Sequence, residues 1–201
     1  MIEFTRRKAA GFISAVIAAV SIAPTEALAL DNASAKKLVD ALVGEINKII
    51  ASGKSENAMY ADFKRIFAKY GDTSYIAAYA MGNDGRRASA LQKKNFSNAF
   101  ETYVARKYGS RFREFIGGRL EVKSVRPVKS WFAVKTTAFL RGESPFTVTF
   151  LVSNRTGRDK FFNMSIEGIN LLLTERSEIG AMIDKRGGNI DAMITDLKKA
   201  G

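Results

Sequence analysis

Glu167 is the carboxylate whose neighbours point most directly to chemistry. It ends a strand-like run, Asn163-Met164-Ser165-Ile166, and stands beside Gly168 at the entry to an apolar helix. In that place it either accepts hydrogen bonds from the first N–H groups of the helix or serves as the general base of a small α+β enzyme acting on an apolar substrate. A second candidate is "RKYGSRFREFIGGR", residues 106 to 119, which interleaves Arg with Tyr and Phe as a surface for single-stranded nucleic acid does. Helical spacing gives these residues a plainer reading, with Tyr108, Phe112, Phe115 and Ile116 on one side and Arg111, Arg113 and Arg119 elsewhere. No P-loop, dinucleotide GxGxxG or calcium loop is present, and Gly117-Gly118 and Gly187-Gly188 read as helix caps. The chain has neither Cys nor His, which excludes disulfides, thiolate and imidazole metal sites, and Ser-His or Cys-His nucleophiles. The sequence therefore reads as a non-enzyme that uses no cofactor and no metal.

At 201 residues, 46% hydrophobic and 26% charged, the chain suits one globular domain with a sizeable core. The 32 Lys and Arg against 20 Asp and Glu leave a formal charge of +12, which favours an anionic partner such as nucleic acid, a lipid headgroup or an acidic protein face.

The segment "MIEFTRRKAAGFISAVIAAVSIAPTEALALD" has the three parts of a secretory signal: Arg6, Arg7 and Lys8, an apolar run from Ala9 to Ala23, and Ala27-Leu28-Ala29 for cleavage. The run is shorter than the ~20 residues of a membrane span, so residues 1–29 are expected to be a cleaved export signal and 30–201 a single domain. Thr5-Arg6-Arg7 resembles the twin-arginine signal, but Ala9 and Ala10 stand where that pattern continues with Phe and Leu. The choice between the twin-arginine and general secretory routes stays open. Cleavage removes three basic residues (Arg6, Arg7, Lys8) and two acidic ones (Glu3, Glu26), leaving +11 on the mature domain.

The remainder must be built from helices, then strands, then helices. Leu38, Leu42, Ile46 and Ile49 mark one amphipathic helix, and Met59, Phe63, Ile66, Phe67 and Tyr70 a second. A short apolar run, Tyr75 to Met81, closes at Gly82. A long helix from about Ala88 to Tyr108 carries Phe96, Phe100, Tyr103 and Lys107 and stops at Gly109. From Arg119 the period changes to two, giving strands Leu120 to Val125, Phe132 to Leu140 and Phe146 to Val152, with Pro127 in the first connection and Gly142-Glu143 as a hairpin turn. Alternation places Phe132, Val134, Thr136, Ala138 and Leu140 on one face, Phe146, Val148, Phe150 and Val152 on another, and Phe162, Met164 and Ile166 on the inner face of a fourth strand. Helices over Ile169 to Arg186 and Ile190 to Lys199 complete the chain. The fold class is α+β, a twisted antiparallel sheet of about four strands wrapped by N- and C-terminal helices.

The tail "FFNMSIEGINLLLTERSEIGAMIDKRGGNIDAMITDLKKA" resembles the closing segment of the MlaC (toluene-tolerance) proteins, in which a strand ending in Glu-Gly enters a helix bearing an Arg and then an aromatic. Asn163, Glu167, Gly168, Ile169, Arg176, Gly188 and Leu197-Lys198 follow that pattern, while Asn170 replaces the usual Ser and Ile179 the usual Phe. Residues 63 to 109 are similar to the helical half of the family, with Asp72, Gly82, Phe96, Phe100, Tyr103 and Tyr108 in corresponding places.

The resemblance implies a periplasmic phospholipid-binding component of an ABC lipid transport system that maintains outer-membrane lipid asymmetry. Its ligand would be a phospholipid held by its acyl chains in an apolar pocket between sheet and helices, with slight headgroup selectivity. Its partners would be an inner-membrane ABC transporter complex and an outer-membrane lipoprotein complex, met by transient docking as a monomer that does not bind nucleic acid. Under this reading, face alternation assigns the pocket wall to Tyr79, Phe100, Tyr103 and Phe115 from the helical half, and to Phe132, Val134, Val148, Phe150, Phe162, Met164 and Ile166 from the sheet. Gly168, Ile169 and Leu172 complete it at the strand-to-helix passage, where Gly168 would permit close backbone approach. A secreted basic nucleic-acid-binding domain remains the alternative, and an enzyme using Glu167 a more distant one.

Overall fold

The computed structural model describes residues 30–109 and 114–201; the expected export signal and Arg111, Phe112 and Arg113 lie outside them. Three helices come first, and the first and third each start at a capping aspartate. Asp31 caps α1 (Asn32–Ile50) in a reciprocal box with Ser34, accepting from the Ser34 N–H at 2.7 Å while the Ser34 hydroxyl accepts from the Asp31 N–H at 3.0 Å. Its apolar stripe, Ala35, Val39, Leu42, Val43, Ile46, Ile49 and Ile50, is buried. Helix α2 (Glu56–Tyr70) ends at Gly71, and Asp72 then caps α3 (Thr73–Met81) by accepting from the Tyr75 N–H. A Cβ on Gly71 would stand 2.7 Å from the Phe67 carbonyl oxygen and 3.2 Å from the Phe161 ring. Only glycine lets this link run against the sheet, where the Asp72 N–H donates to the Phe161 carbonyl at 2.8 Å. The short apolar run Tyr75 to Met81 is thus helix α3, followed by a 3₁₀ turn, Gly82–Arg86, and the long α4 (Ala90–Gly109).

The sheet is a meander in the order β1-β2-β3-β4-β5, antiparallel throughout: β1 (Arg119–Val128), β2 (Trp131–Phe139), β3 (Phe146–Ser153), β4 (Lys160–Ile166) and β5 (Ile169–Asn170). β1 is longer than the sequence suggests and contains Pro127, which an edge strand tolerates because one side of its backbone has no ladder partner. That free side is met elsewhere by Asn47 of α1, whose amide donates to the Leu120 carbonyl and accepts from the Leu120 N–H, both at 2.9 Å. Register lines up Val134, Phe150 and Met164 in one row across the sheet and Thr136, Val148 and Ile166 in the next. Thr136 is buried and its hydroxyl donates to the Val148 carbonyl at 2.8 Å, so this row carries no unpaired polar group.

Two expectations for the strand-to-helix passage are corrected. Glu167 does not cap the following helix. Glu167 (φ 46°) and Gly168 (φ 82°) are the central pair of a two-residue hairpin turn closed by Ile166 and Ile169, and positive φ at both positions is the signature of a type I′ turn. The Glu167 carboxylate accepts from the Thr147 N–H, and its own N–H donates to the Thr147 carbonyl at 2.9 Å, which offsets the left-handed strain. Ile169 begins β5 rather than a helix, and Asn170 caps α5 (Leu171–Lys185) by accepting from the Leu173 N–H at 3.0 Å. Helix α6 (Ile190–Leu197) follows under its own cap, Asn189. The segment 106–119 is no continuous helix: α4 ends at Gly109 and Arg119 opens β1.

Gly168 is needed for its φ and not for close approach, since a Cβ there meets nothing within 4 Å. Gly168→Leu is expected to cost about 1–2 kcal/mol, lowering Tm by roughly 2–8 °C at this size, while Gly168→Asn loses less than half as much. Melting followed by circular dichroism decides: identical losses for Leu and Asn would mean that φ is not the constraint.

Candidate functional site

Between the inner face of the sheet and helices α1–α5 lies a cavity of about 150 Å³ of space open to the centres of water-sized molecules, roughly ten times what one water needs. Each element contributes through the stripe it buries. Helix α1 supplies Leu42 and Ile46, α2 supplies Phe63, Ile66 and Phe67, and α3 supplies Ile76. From α4 come Phe100, Val104 and Tyr108, and from β3 Val148 and Phe150. The wall is closed by β4 and the start of α5. Its polar groups are few: the Tyr108 hydroxyl, Asn163 and Glu175.

Eight of the residues expected at the pocket are brought together on this wall: Phe100, Phe115, Val148, Phe150, Phe162, Met164, Ile166 and Leu172. Six stand apart from it, for separate reasons. Tyr79 is half-buried against Tyr75, with the Arg176 guanidinium 5.1 Å from its ring. Tyr103 is on the buried side of α4, and its hydroxyl donates to Glu178 at 2.8 Å. Phe132 and Val134 share a face as expected, but Val134 is packed in the buried core and Phe132 is half-buried against it, and neither is on the wall. Gly168 is in the turn and Ile169 is 63% exposed.

Residues that alternation missed have identifiable signals. Leu42, Ile46, Phe63, Ile66, Phe67 and Tyr108 were legible as apolar helix stripes, but a stripe does not say whether it faces a filled core or an open one. Phe161 and Asn163 enter the wall through a bulge: Leu151 pairs with Asn163 and Val152 with Phe161, so Phe162 is an extra residue and the strict alternation fails there. Asn163 is locked in place, its Oδ1 accepting from the N–H groups of Met164 (2.7 Å) and Leu172 (3.3 Å) and its Nδ2 donating to Asn170 Oδ1 at 3.0 Å. It ties β4 to the start of α5.

Glu175 is the unexpected member, a buried carboxylate in an apolar wall. Its Oε1 accepts from Lys107 Nζ at 2.8 Å and from the Tyr108 hydroxyl. Lys107 also donates to Glu178 at 2.5 Å and to the Tyr103 hydroxyl at 3.0 Å. Burial works against the charge on Lys107, yet the two carboxylates outweigh it and raise its pKa above the usual lysine value. Burial, followed by the charge of Glu175, pushes the Tyr103 hydroxyl upward, keeping it a proton donor. Burial acts to raise the Glu178 carboxyl, but the hydrogen bonds from Lys107 and Tyr103 prevail and hold it below the usual range.

Of the described aromatic residues of 106–119, Tyr108 and Phe115 both reach the cavity wall. Glu167 is outside the wall, bonded into its turn. No described helix is long and apolar enough to cross a membrane.

Residues 36–199 match the model of the MlaC protein family. The chain belongs to the MlaC family. Its fold is shared with the solved phospholipid-binding protein of Ralstonia solanacearum, in complex with a phospholipid. The TM-score is 0.71 at 19% sequence identity, over 82% of this chain and 95% of that one. At such identity the likeness is one of fold, and it extends over nearly the whole of the other protein. In this MlaC-family chain the cavity is therefore bounded by the two layers that define the fold, sheet and helices.

Lys107 is the cationic partner that keeps Glu175 tolerable in an apolar wall. Lys107→Met is expected to destabilise by about 2–3 kcal/mol because it strands a buried carboxylate, and the double variant Lys107→Met/Glu175→Leu to recover most of that loss. Urea denaturation of the double-mutant cycle checks it, and additive losses would show the pair to be uncoupled.

Proposed function

We propose that this MlaC-family chain is a periplasmic phospholipid carrier. It takes the acyl chains of a diacyl phospholipid into the apolar cavity and shuttles lipid between an outer-membrane lipoprotein complex and an inner-membrane ABC transporter complex, docking transiently with each as a monomer. The observation that carries this reading is an almost wholly apolar cavity, between sheet and helices, in the fold of a protein solved with a phospholipid bound. Residues 1–29, read as a cleaved export signal, deliver the remainder to the periplasm.

Energetics give the mechanism. At roughly 0.8 kcal/mol per buried CH₂, a sixteen-carbon chain is worth on the order of 10 kcal/mol, so a lipid seated here does not escape into water at a useful rate. Transfer requires mouth-to-mouth docking with a complex that continues the apolar path. Energy enters through the ABC partner, consistent with a chain that has no nucleotide-binding motif. The +11 charge of the mature domain speeds encounter with anionic headgroups or acidic partner faces.

Protein expressed with its signal in a Gram-negative host is expected to co-purify with diacyl phospholipid, read by native mass spectrometry without detergent. Only background lipid, together with failure of delipidated protein to extract lipid from vesicles, would sink the carrier. Phe150 and Thr149 point to opposite faces of β3, and only Phe150 lines the cavity. Phe150→Trp should cut lipid per protein several-fold, with the delipidated form melting near delipidated wild type, while Thr149→Trp keeps wild-type occupancy. Equal uptake by two folded variants would remove this sheet face from the lipid site.

A further inference from the structure

The antiparallel meander sets two of its turns side by side. Lys129-Ser130 joins β1 to β2 and residues 154–159 join β3 to β4. The pairings Val128 with Trp131, Phe132 with Val152 and Ser153 with Lys160 bring both turns to one end of the sheet. Four exposed cations stand there: Arg126, Lys129, Arg155 and Arg158. Lys36, Lys54, Arg65, Lys69 and Arg186 each sit on a carboxylate at 2.5 to 3.2 Å, but among the described residues none of these four is ion-paired. The carboxylates nearby, Asp31 and Asp159, feel each other's charge and pair with none of the four.

Rings hold one of these cations in place. The Arg155 guanidinium lies 4.0 Å from the centre of the Tyr75 ring and 4.5 Å from that of Phe162, and its Nε donates to Ser153 Oγ at 3.3 Å. Phe162 in turn meets Trp131 and Tyr75 edge to face, each at 5.7 Å. Stacking occupies the face of a guanidinium and leaves its in-plane N–H donors to other partners. Trp131 is partly exposed and is the sole tryptophan of the chain. Phe162 also lines the cavity, whereas Trp131 and the four cations stand outside its wall.

Four cations spread over two hairpins, with only Arg155 held by rings, suit a partner whose anions adjust to them. A fluid bilayer surface brings a phosphate to each cation, whereas an acidic protein face must match fixed positions. Clustered basic residues are the mark of contact with anionic lipid, and Trp and Tyr, with an apolar body and a polar edge, settle at headgroup level. We propose that this end of the sheet is the surface on which the protein rests against an anionic phospholipid bilayer. Arg126, Lys129, Arg155 and Arg158 meet the headgroup phosphates, and Trp131 lies at their level. Docking here does not require the cavity to be filled.

Trp131 makes the test direct. Purified protein is mixed with sucrose-loaded vesicles of palmitoyl-oleoyl phosphatidylcholine, alone or equimolar with phosphatidylglycerol, and read by co-sedimentation and by tryptophan emission. Wild type should bind the mixed vesicles at least about a hundredfold more tightly than the neutral ones, with Trp131 emission moving to shorter wavelength only on the mixed ones. Lys129→Gln/Arg158→Gln, which touches no ring, should weaken that binding about thirtyfold, the weight of two interfacial cations. The control Lys48→Gln/Arg141→Gln removes the same charge about 30 Å away at the other end of the sheet, several Debye lengths off, and should cost no more than about threefold. Equal binding to both vesicles overturns the site and leaves this surface to an acidic protein. So does unshifted Trp131 emission on the mixed vesicles, or a control that loses as much as the Lys129/Arg158 variant, which would mean that net charge alone is at work. An emission shift equal on both vesicles would report lipid entering beside Phe162 and also overturns it. Failure to extract lipid sinks the carrier and leaves this result standing.

Discussion

Close packing is the rule inside proteins, and this fold depends on breaking it in one place. Leaving about 150 Å³ unfilled forfeits packing worth on the order of 4 kcal/mol, against a total stability of ~5–15 kcal/mol for a typical domain. The two layers therefore cannot be held apart by the residues that line the gap, which would gain from closing it. They must be held by contacts around it, and the filled part of the core supplies these. Phe96, Ile179, Ile183, Met193 and Leu197 are almost wholly buried and bring α4, α5 and α6 together. Val39, Val134 and Val152 do the same for α1 and the sheet. A ligand that fills the gap adds the contacts these residues cannot make for one another.

Primary amides do much of the pinning between layers. Asn47 closes the free side of β1 onto α1 with one donor and one acceptor, and Asn163 and Asn170 lock β4 to the start of α5. An amide can satisfy both signs of backbone group without the desolvation penalty of burying a charge. Beside an apolar cavity this matters, since any charge left unpaired there would draw in water. Glu175 is the exception, and four other side chains, Lys107, Tyr108, Tyr103 and Glu178, are committed to the cluster that accommodates it.

Most of the architecture was legible in the sequence because it follows from period and punctuation. Alternation placed Val148, Phe150, Met164 and Ile166 on one face, and Gly109 and Gly142 marked ends that exist. What stayed hidden has physical causes. A bulge adds one residue without altering composition, so Phe161 came inward unannounced. Glu167-Gly168 resembles a strand running into a helix cap, because Gly at positive φ serves a helix end and a type I′ turn alike. The turn's second arm is only the two residues Ile169 and Asn170, too short to show any period. Helix stripes carry no mark that distinguishes cavity wall from filled core, which is why Phe63 and Phe67 were not assigned to the wall. Glu175 was invisible for another reason: its partners Lys107 and Tyr108 are 68 and 67 residues away, a pairing that only the fold creates.

The charge and the cavity act on different length scales, so one chain can carry both. The surface ion pairs, such as Lys36 with Asp40 and Arg186 with Asp196, are solvent-exposed and screened by water, so the fold does not rest on them. Their sum, a surplus of cations, is felt over a Debye length of ~8 Å at physiological salt. The cavity is felt only at contact. In the proposed carrier, encounter and capture are thus governed by separate residues: adding or removing surface lysines changes how often the protein meets an anionic surface, while the apolar wall governs what is kept after the meeting. A carrier that relied on charge to hold its cargo would release it with every change in salt; one that holds by burial responds to salt in its rate of arrival and not in its grip.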